Sequence, residues 1–323
     1  MRYTSTRDSS ISVTFEEALC SGYAPDGGLY VPEFLPQVTA TTLQNWTNLS
    51  YPDLSFEVLR LFVSPHEVDD ESLRKICVDA LRGFVDPDHA VPIQKVGSMY
   101  IAELSHGPTH CFKDLGMRGV INLLGHFATK RSRRIALLVA TTGDTGPAAV
   151  QAVSDLNNPL LTLLVHYPHG QISNFQRKSL TTVKSPCVKV VAFEGGGDDM
   201  DIPIKRILAD QKDRSSSTLY TGVNSYNIGR PVMQMTHYVW TYLRVMEQTG
   251  KVPGDQDSVM DVCLPTGAMG NLTSGFMCAC MGISIGTFVA GVNVNDITHR
   301  LFQSGAFHRA ETMHKTLSEA ISK

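Results

Sequence analysis

From Ile135 onward the chain alternates short apolar runs with amphipathic segments, and this alternation limits the possible folds more than any other feature. The runs at 135–140, 160–166 and 187–193 read as strands, followed by helical patterns from Pro147, from Ser173 and over 200–212. After a helix from Pro231 to about Glu247, strands at 258–264 and 286–292 repeat the unit, with helices from Asn271 and Asn295. Strands separated by helices run parallel, and the crossover helices cover the sheet. The expected class is therefore α/β, with parallel open sheets and helices on both faces. Pro147 suits a first helical position, where its missing N–H costs nothing, and the Ser173 hydroxyl can cap the next helix. The first ninety or so residues lack this rhythm. Turn signals (Pro25-Asp-Gly-Gly28, Pro32, Pro36) and helical patterns at 56–62 and 72–84 describe a mixed N-terminal domain over 1–92. A break at 85–92 separates it from the α/β part over 93–323.

Ligands of parallel sheets sit at the carboxyl ends of strands, where this chain places loops of small residues. Thr141-Thr-Gly-Asp-Thr-Gly146 follows the run 135–140, and Leu264-Pro-Thr-Gly-Ala-Met-Gly-Asn271 follows the run 258–264. Their glycines let backbone N–H groups close on an anion, and the helix that follows adds the favourable end of its dipole. A third segment, His106-Gly-Pro-Thr-His-Cys-Phe-Lys-Asp114, follows a strand at 99–104 and sets Lys113 at the start of a helix reaching about Lys130. The dipole disfavours a lysine there, with Asp114 partly offsetting it, so Lys113 needs another reason. An amine to hold an aldehyde and N–H groups to hold a phosphate are what pyridoxal 5'-phosphate requires. Each piece alone is more simply a surface lysine or a glycine turn; only the combination points to a coenzyme. The glycine loop lacks the Gly-Lys-Ser/Thr of a P-loop, which argues against nucleotide binding. In Asn224-Ser-Tyr-Asn-Ile-Gly-Arg230, Asn227 and Arg230 stand three apart at a helix start, and an arginine fork suits a substrate phosphate. His106 and Thr109 are further candidates for contact with ligand. Gly195-Gly-Gly-Asp-Asp199 reads as a turn and helix cap, and no metal site is expected.

Composition narrows the function classes. With 323 residues, 42% of them hydrophobic, the chain can bury a large core, and a net charge of −3 offers no basic stripe for nucleic acid. The basic cluster Lys130-Arg-Ser-Arg-Arg134 precedes an apolar run and reads as cations at a helix C-terminus. No apolar run approaches the ~20 residues of a membrane span. The seven cysteines form no C-x-x-C pair and no secretory segment follows Met1, so reduced thiols and a cytoplasmic location are expected. Cys111 reads as a core residue despite its closeness to Lys113. The glycosylation patterns at Asn45, Asn48 and Asn271 are discounted for want of an export signal.

The chain resembles the threonine synthases, of the second fold type of pyridoxal-phosphate enzymes, including their animal threonine synthase-like members. The likeness rests on Tyr3-Thr-Ser-Thr-Arg7, Ala24-Pro-Asp-Gly-Gly-Leu-Tyr-Val-Pro32, the lysine segment, the loops above and Val292-Asn-Val-Asn-Asp-Ile297, in that order along the chain. It implies a tryptophan synthase β-like fold and a Schiff base at Lys113. The cofactor phosphate would lie on Gly267, Ala268, Met269, Gly270 and Asn271, with Ala268 where the family usually carries asparagine. Thr141, Thr142, Gly143, Asp144 and Thr145 would meet the substrate, Thr142 standing where many relatives have serine and Asp144 shaping the loop. Asn227 and Arg230 would take its phosphate, although relatives commonly have an aromatic and a small residue before the arginine and no proline after it. The implied reaction converts O-phospho-L-homoserine and water to L-threonine and phosphate. One alternative is a phospholyase giving 2-oxobutanoate, phosphate and ammonia from O-phosphohomoserine or O-phosphothreonine; another is a truncated, non-catalytic binding protein. The family continues past the position of Gly305 through further strands and helices, so the larger domain is expected to be incomplete, with an open edge that favours a homo-oligomer.

Overall fold

The computed structural model of the protein describes residues 1–195, 199–210, 217–308, 314 and 316. The N-terminal part starts with β1 (Tyr3–Ser5), α1 (Phe15–Ser21) and β2 (Tyr30–Pro32), followed by α2 (Ala40–Trp46), α3 (Tyr51–Leu59) and α4 (Asp70–Ala80). β1 pairs antiparallel with β2, and the Tyr3 hydroxyl donates to the Phe62 carbonyl at 2.9 Å. α3 and α4 both begin earlier than the apolar patterns at 56–62 and 72–84 suggest. Their starts are set by polar caps: Ser50 accepts from the Asp53 N–H, and Asp69 from the Ser72 N–H. The short elements β1, β2, α1 and α2 carry too few residues for a periodic signal.

A hairpin of β3 (Ile93–Val96) and β4 (Met99–Ala102) leads to α5 (Lys113–Lys130), whose bounds are those expected. The α/β part then runs β5 (Arg134–Ala140), α6 (Thr145–Leu156), β6 (Leu161–Pro168), α7 (Asn174–Thr181), β7 (Val188–Phe193), α8 (Asp201–Asp210), β8 (Thr218–Gly222) and α9 (Gly229–Thr249). Its four strands are parallel in the order β7-β6-β5-β8, with Ile135 opposite both Leu161 and Leu219. α5 and α6 cover one face; on the other, Met200 and Ile204 pack against Leu138 and Ala140. Pro147 is the third residue of α6 rather than the first. The outcome is harmless, because the first four N–H groups of a helix have no intrahelical acceptor. β8 was not expected: it has five residues, and Leu219 is the single aliphatic one. Gly196, Gly197 and Asp198 of the segment read as a turn, and residues 211 and 212 of the expected 200–212 helix, lie outside the described residues.

The last units are β9 (Met260–Pro265), α10 (Gly270–Cys280), β10 (Ile285–Gly291) and α11 (Ile297–Ser304). β9 and β10 form a second parallel pair. α9 joins the two halves: sixteen of its residues are buried, and it packs on α3, α5 and α10. Gly119 makes the α5–α9 approach possible, since a Cβ there would fall 1.9 Å from the Met233 Cε. The Trp240 indole is buried and donates to the Val91 carbonyl at 2.7 Å, which ties the N-terminal part to the rest. A hydrophobic core extends without a break from Tyr3 to Ile283, and each large side chain fully buried in it contributes about 1.5–3 kcal/mol. Because the four-stranded sheet and the β9–β10 pair are both parallel, the loops after β5, β8 and β9 emerge at carboxyl ends, as the alternation implies.

Candidate active site

Lys113 is the first residue of α5, a position with no side-chain cap. Its Nζ donates to Asp144 Oδ2 at 3.1 Å and lies 4.7 Å from the Phe112 ring centroid and 4.0 Å from Cys111 Sγ. The other Asp144 oxygen accepts from Gln176 Nε2 at 3.0 Å. Gln176 also completes the capping box of α7, its Oε1 accepting from the Ser173 N–H at 3.0 Å. One carboxylate thus connects the lysine to the start of α7. Burial pushes the Asp144 carboxyl up, but the Lys113 charge and the bonds from Gln176, Lys113 and Cys111 outweigh it and hold the group below its ordinary range.

The loop after β5 is shaped by Thr141 rather than by Asp144. The buried Thr141 Oγ1 accepts from the N–H groups of Gly143 at 3.1 Å and Gly146 at 2.9 Å, so this hydroxyl is already committed. Gly143 has φ +136°, and a Cβ on it would meet Gln176 Nε2 at 2.1 Å, so only glycine fits. The Thr142 and Thr145 side chains are half-buried and remain open to a ligand.

Asp114 faces away from the lysine chemistry. Its two oxygens accept from the Thr109 hydroxyl and N–H, both at 2.8 Å, and burial raises its carboxyl despite those bonds. Thr109 is therefore a turn holder, as is His106, whose Nε2 is 2.8 Å from Glu103 Oε2. Cys111, read as core, instead borders the site beside Lys113 and Asp144. Burial pushes its thiol up against the pull of the Lys113 charge, so it is no ready nucleophile.

The loop after β8 reaches the same rim. Asn224 Nδ2 donates to the carbonyl of Ala140, the last residue of β5, at 2.8 Å, while its Oδ1 is buried without a partner. Asn227 corrects the sequence reading. It is wholly buried, Nδ2 donates to the Leu19 and Gly222 carbonyls at 2.8 and 2.9 Å, and Oδ1 accepts from the Gly229 N–H at 3.0 Å. Both amide hydrogens are spent on the scaffold, so nothing is left to donate to a substrate phosphate. Arg230 is different. It is buried, gives Nη1 to the Val223 carbonyl at 3.1 Å and leaves Nε without a partner. A Cβ on Gly116 would lie 3.2 Å from that Nε, which puts the guanidinium against the first turn of the lysine helix. Burial lowers its pKa to about 10, against the charges of Cys111 and Asp114, so it stays cationic near neutrality.

The loop after β9 carries Gly267 and Ala268, then Met269 in the left-handed region at φ +63°, an unusual state for a residue with a side chain. α10 opens at Gly270 with no side-chain cap, so its first N–H groups have no partner from a capping side chain. A Cβ on Gly270 would stand 3.1 Å from the Ser225 Cβ, so this loop abuts the loop after β8. The Oδ1 of Asn271 lies 3.0 Å from His237 Nε2 on α9. Lys113, the Asp144 loop, Asn224 with Ser225 and the glycine loop thus form one continuous rim. The sequence reading missed Gln176 and His237. Gln176 was legible as the last residue of a Ser-x-x-Gln capping box, but His237 within an apolar helix gave no signal.

Comparison with known proteins gives the family of the chain. The profile of the threonine synthase N terminus matches residues 2–81. Threonine synthase-like 2 of Xenopus laevis is 38% identical over 322 residues, and the threonine synthase of Pseudomonas aeruginosa 34% identical over 322; each alignment covers 99% of this chain and 66% of the relative. The chain thus spans just under two thirds of the length of these curated relatives. A threonine synthase structure from Brucella melitensis, described as bound to PLP, superposes with a TM-score of 0.87 at 28% identity, covering 100% of this chain and 67% of that one. With sequence likeness along nearly the whole chain and the same α/β architecture, the protein belongs to the threonine synthase family.

Proposed function

We propose that the protein is a pyridoxal 5'-phosphate-dependent enzyme of threonine synthase type, converting O-phospho-L-homoserine and water to L-threonine and phosphate. The observation that carries this reading is that the Lys113 amine and the uncapped start of α10 open on one rim, joined through Asn224 and Ser225. The residues fit a coenzyme with an aldehyde at one end and a phosphate at the other. An amine stands at the first site, and glycine-lined N–H groups with a helix dipole stand at the second. The buried, unpartnered Asn224 Oδ1 and Arg230 Nε supply further polar atoms without protein partners nearby.

When bound, the coenzyme supplies an electron sink for the carbanions of the reaction. Lys113 is the amine that holds its aldehyde carbon and, once freed, the base that moves the substrate α-proton. Before the coenzyme binds, Asp144 holds the Lys113 ammonium at the rim. Backbone N–H groups of Gly267, Ala268, Met269, Gly270 and Asn271 hold the phosphate tail. Because they are main-chain groups, alanine at 268 is tolerated. Thr142, Gly143 and Thr145 present donors to the substrate carboxylate, and Arg230 presents its fork to the substrate phosphate.

Identity of 38% to a threonine synthase-like protein against 34% to a bacterial synthase keeps a phospholyase outcome in view. Incubating the purified chain and coenzyme with O-phospho-L-homoserine should give L-threonine and phosphate in equal amounts. Release of 2-oxobutanoate and ammonia without threonine would replace synthase by phospholyase, and unchanged substrate would favour a binding role.

A further inference from the structure

We infer that His237 is a positioning residue for the glycine loop: it fixes the Asn271 side-chain amide with its carbonyl turned inward and its NH2 turned toward the anion site. This rests on the coenzyme reading above and adds a specificity determinant to it. His237 lies on α9, buried at 3% exposure, with its ring 4.5 Å from that of Tyr238. Nε2 is 3.0 Å from Asn271 Oδ1, and Nδ1 is buried with no partner. An amide oxygen accepts only, so Nε2 must carry the hydrogen. Nδ1 then bears a lone pair, and a buried lone pair without a partner is tolerated better than a buried N–H without one. Burial lowers the imidazole to about 4, against the Asn271 bond, so the ring is neutral near neutrality and carries one N–H and one lone pair.

The consequence falls on Asn271, the second residue of an uncapped helix. With Oδ1 held by His237, Nδ2 has no partner among the described residues and remains partly exposed. It therefore adds a side-chain donor to the row of backbone N–H groups at the start of α10. The reversed amide would present a carbonyl oxygen to a phosphate and repel it. His237 never needs to touch the ligand to decide between the two.

The test compares pyridoxal phosphate with pyridoxal, which keeps the aldehyde but lacks the phosphate. His237→Phe should weaken binding of pyridoxal phosphate about tenfold, as losses behind a ligating group commonly do, and change pyridoxal affinity less than twofold. His237→Gln, which retains an N–H donor, should recover most of the loss. Equal weakening of both compounds, or none, would overturn the inference. A second measurement needs no coenzyme and no variant that folds. In the wild-type chain with 15N-labelled histidine, NMR at neutral pH should show the Nε2–H tautomer at His237, and inorganic phosphate should shift the Asn271 side-chain NH2 resonances. An Nδ1–H tautomer, or unmoved resonances, would contradict the assignment. A wild-type chain that takes up neither pyridoxal compound but passes both NMR criteria would sink the coenzyme reading alone.

Discussion

Asn227 shows how one buried amide can be mistaken for a ligand. Its spacing from Arg230 suggested a phosphate pair, yet three scaffold bonds absorb it. Asn227→Ala would leave the Gly229 N–H unpaired and the Leu19 and Gly222 carbonyls with only the Thr221 hydroxyl at 3.5 Å, and should lower unfolding stability by about 2 kcal/mol, measured by denaturant titration. His237 makes a prediction in pH. Its folded value of about 4 lies below the ordinary histidine value of about 6.5, so as pH falls the unfolded chain takes up the proton first. The contribution is fully present above about 6.5 and is lost between about 6.5 and 4, at no more than about 1.4 kcal/mol per pH unit. His237→Phe should remove that slope relative to wild type; an unchanged slope would mean the ring takes up its proton as readily in the folded chain as in the unfolded one. At this scale Lys113 and the two glycine loops stand out in the sequence because their residue types suit a chemical need, and the fold brings them to one rim. The partners of Asp144 and Asn271 were not, since Gln176 and His237 lie 32 and 34 residues away and only the fold brings them near.

Elements were read best where a signal was long. α5 appeared with its own bounds because eighteen residues of amphipathic pattern end in the basic group at Lys130, and Arg131 there pairs with Glu16 at 2.7 Å. β8 escaped because five residues with one aliphatic side chain carry no run, although it is the strand that delivers Asn224 to the rim. The Ser173 cap was foreseen and is present as a full capping box. Ser173→Ala should cost about 1 kcal/mol and leave the Gln176 bond to Asp144 in place. Gln176→Ala should cost a similar amount and in addition release one Asp144 oxygen, the other staying with Lys113. Thermal unfolding of the two variants beside that of Asp144→Asn separates the capping loss from the carboxylate loss.

At the scale of the whole molecule, the α/β class and the parallel order were expected from alternation alone, and the structure has both. The region around β9 and β10 is less enclosed than the four-stranded sheet. Phe276, Val289, Val294, Phe302 and Phe307 are all more than half exposed there, and parallel sheets are ordinarily covered on both faces. Sedimentation at rising concentration should therefore show association, reduced by the double substitution Val289→Lys and Phe302→Glu; a constant monomer mass would count against it. The central claim is that one coenzyme spans Lys113 and the start of α10. Titrating the purified protein with pyridoxal 5'-phosphate while recording its absorbance tests this most directly. The account predicts a new band near the visible edge that saturates with coenzyme and disappears in Lys113→Ala, whereas no band, or a band undiminished in that variant, would contradict it.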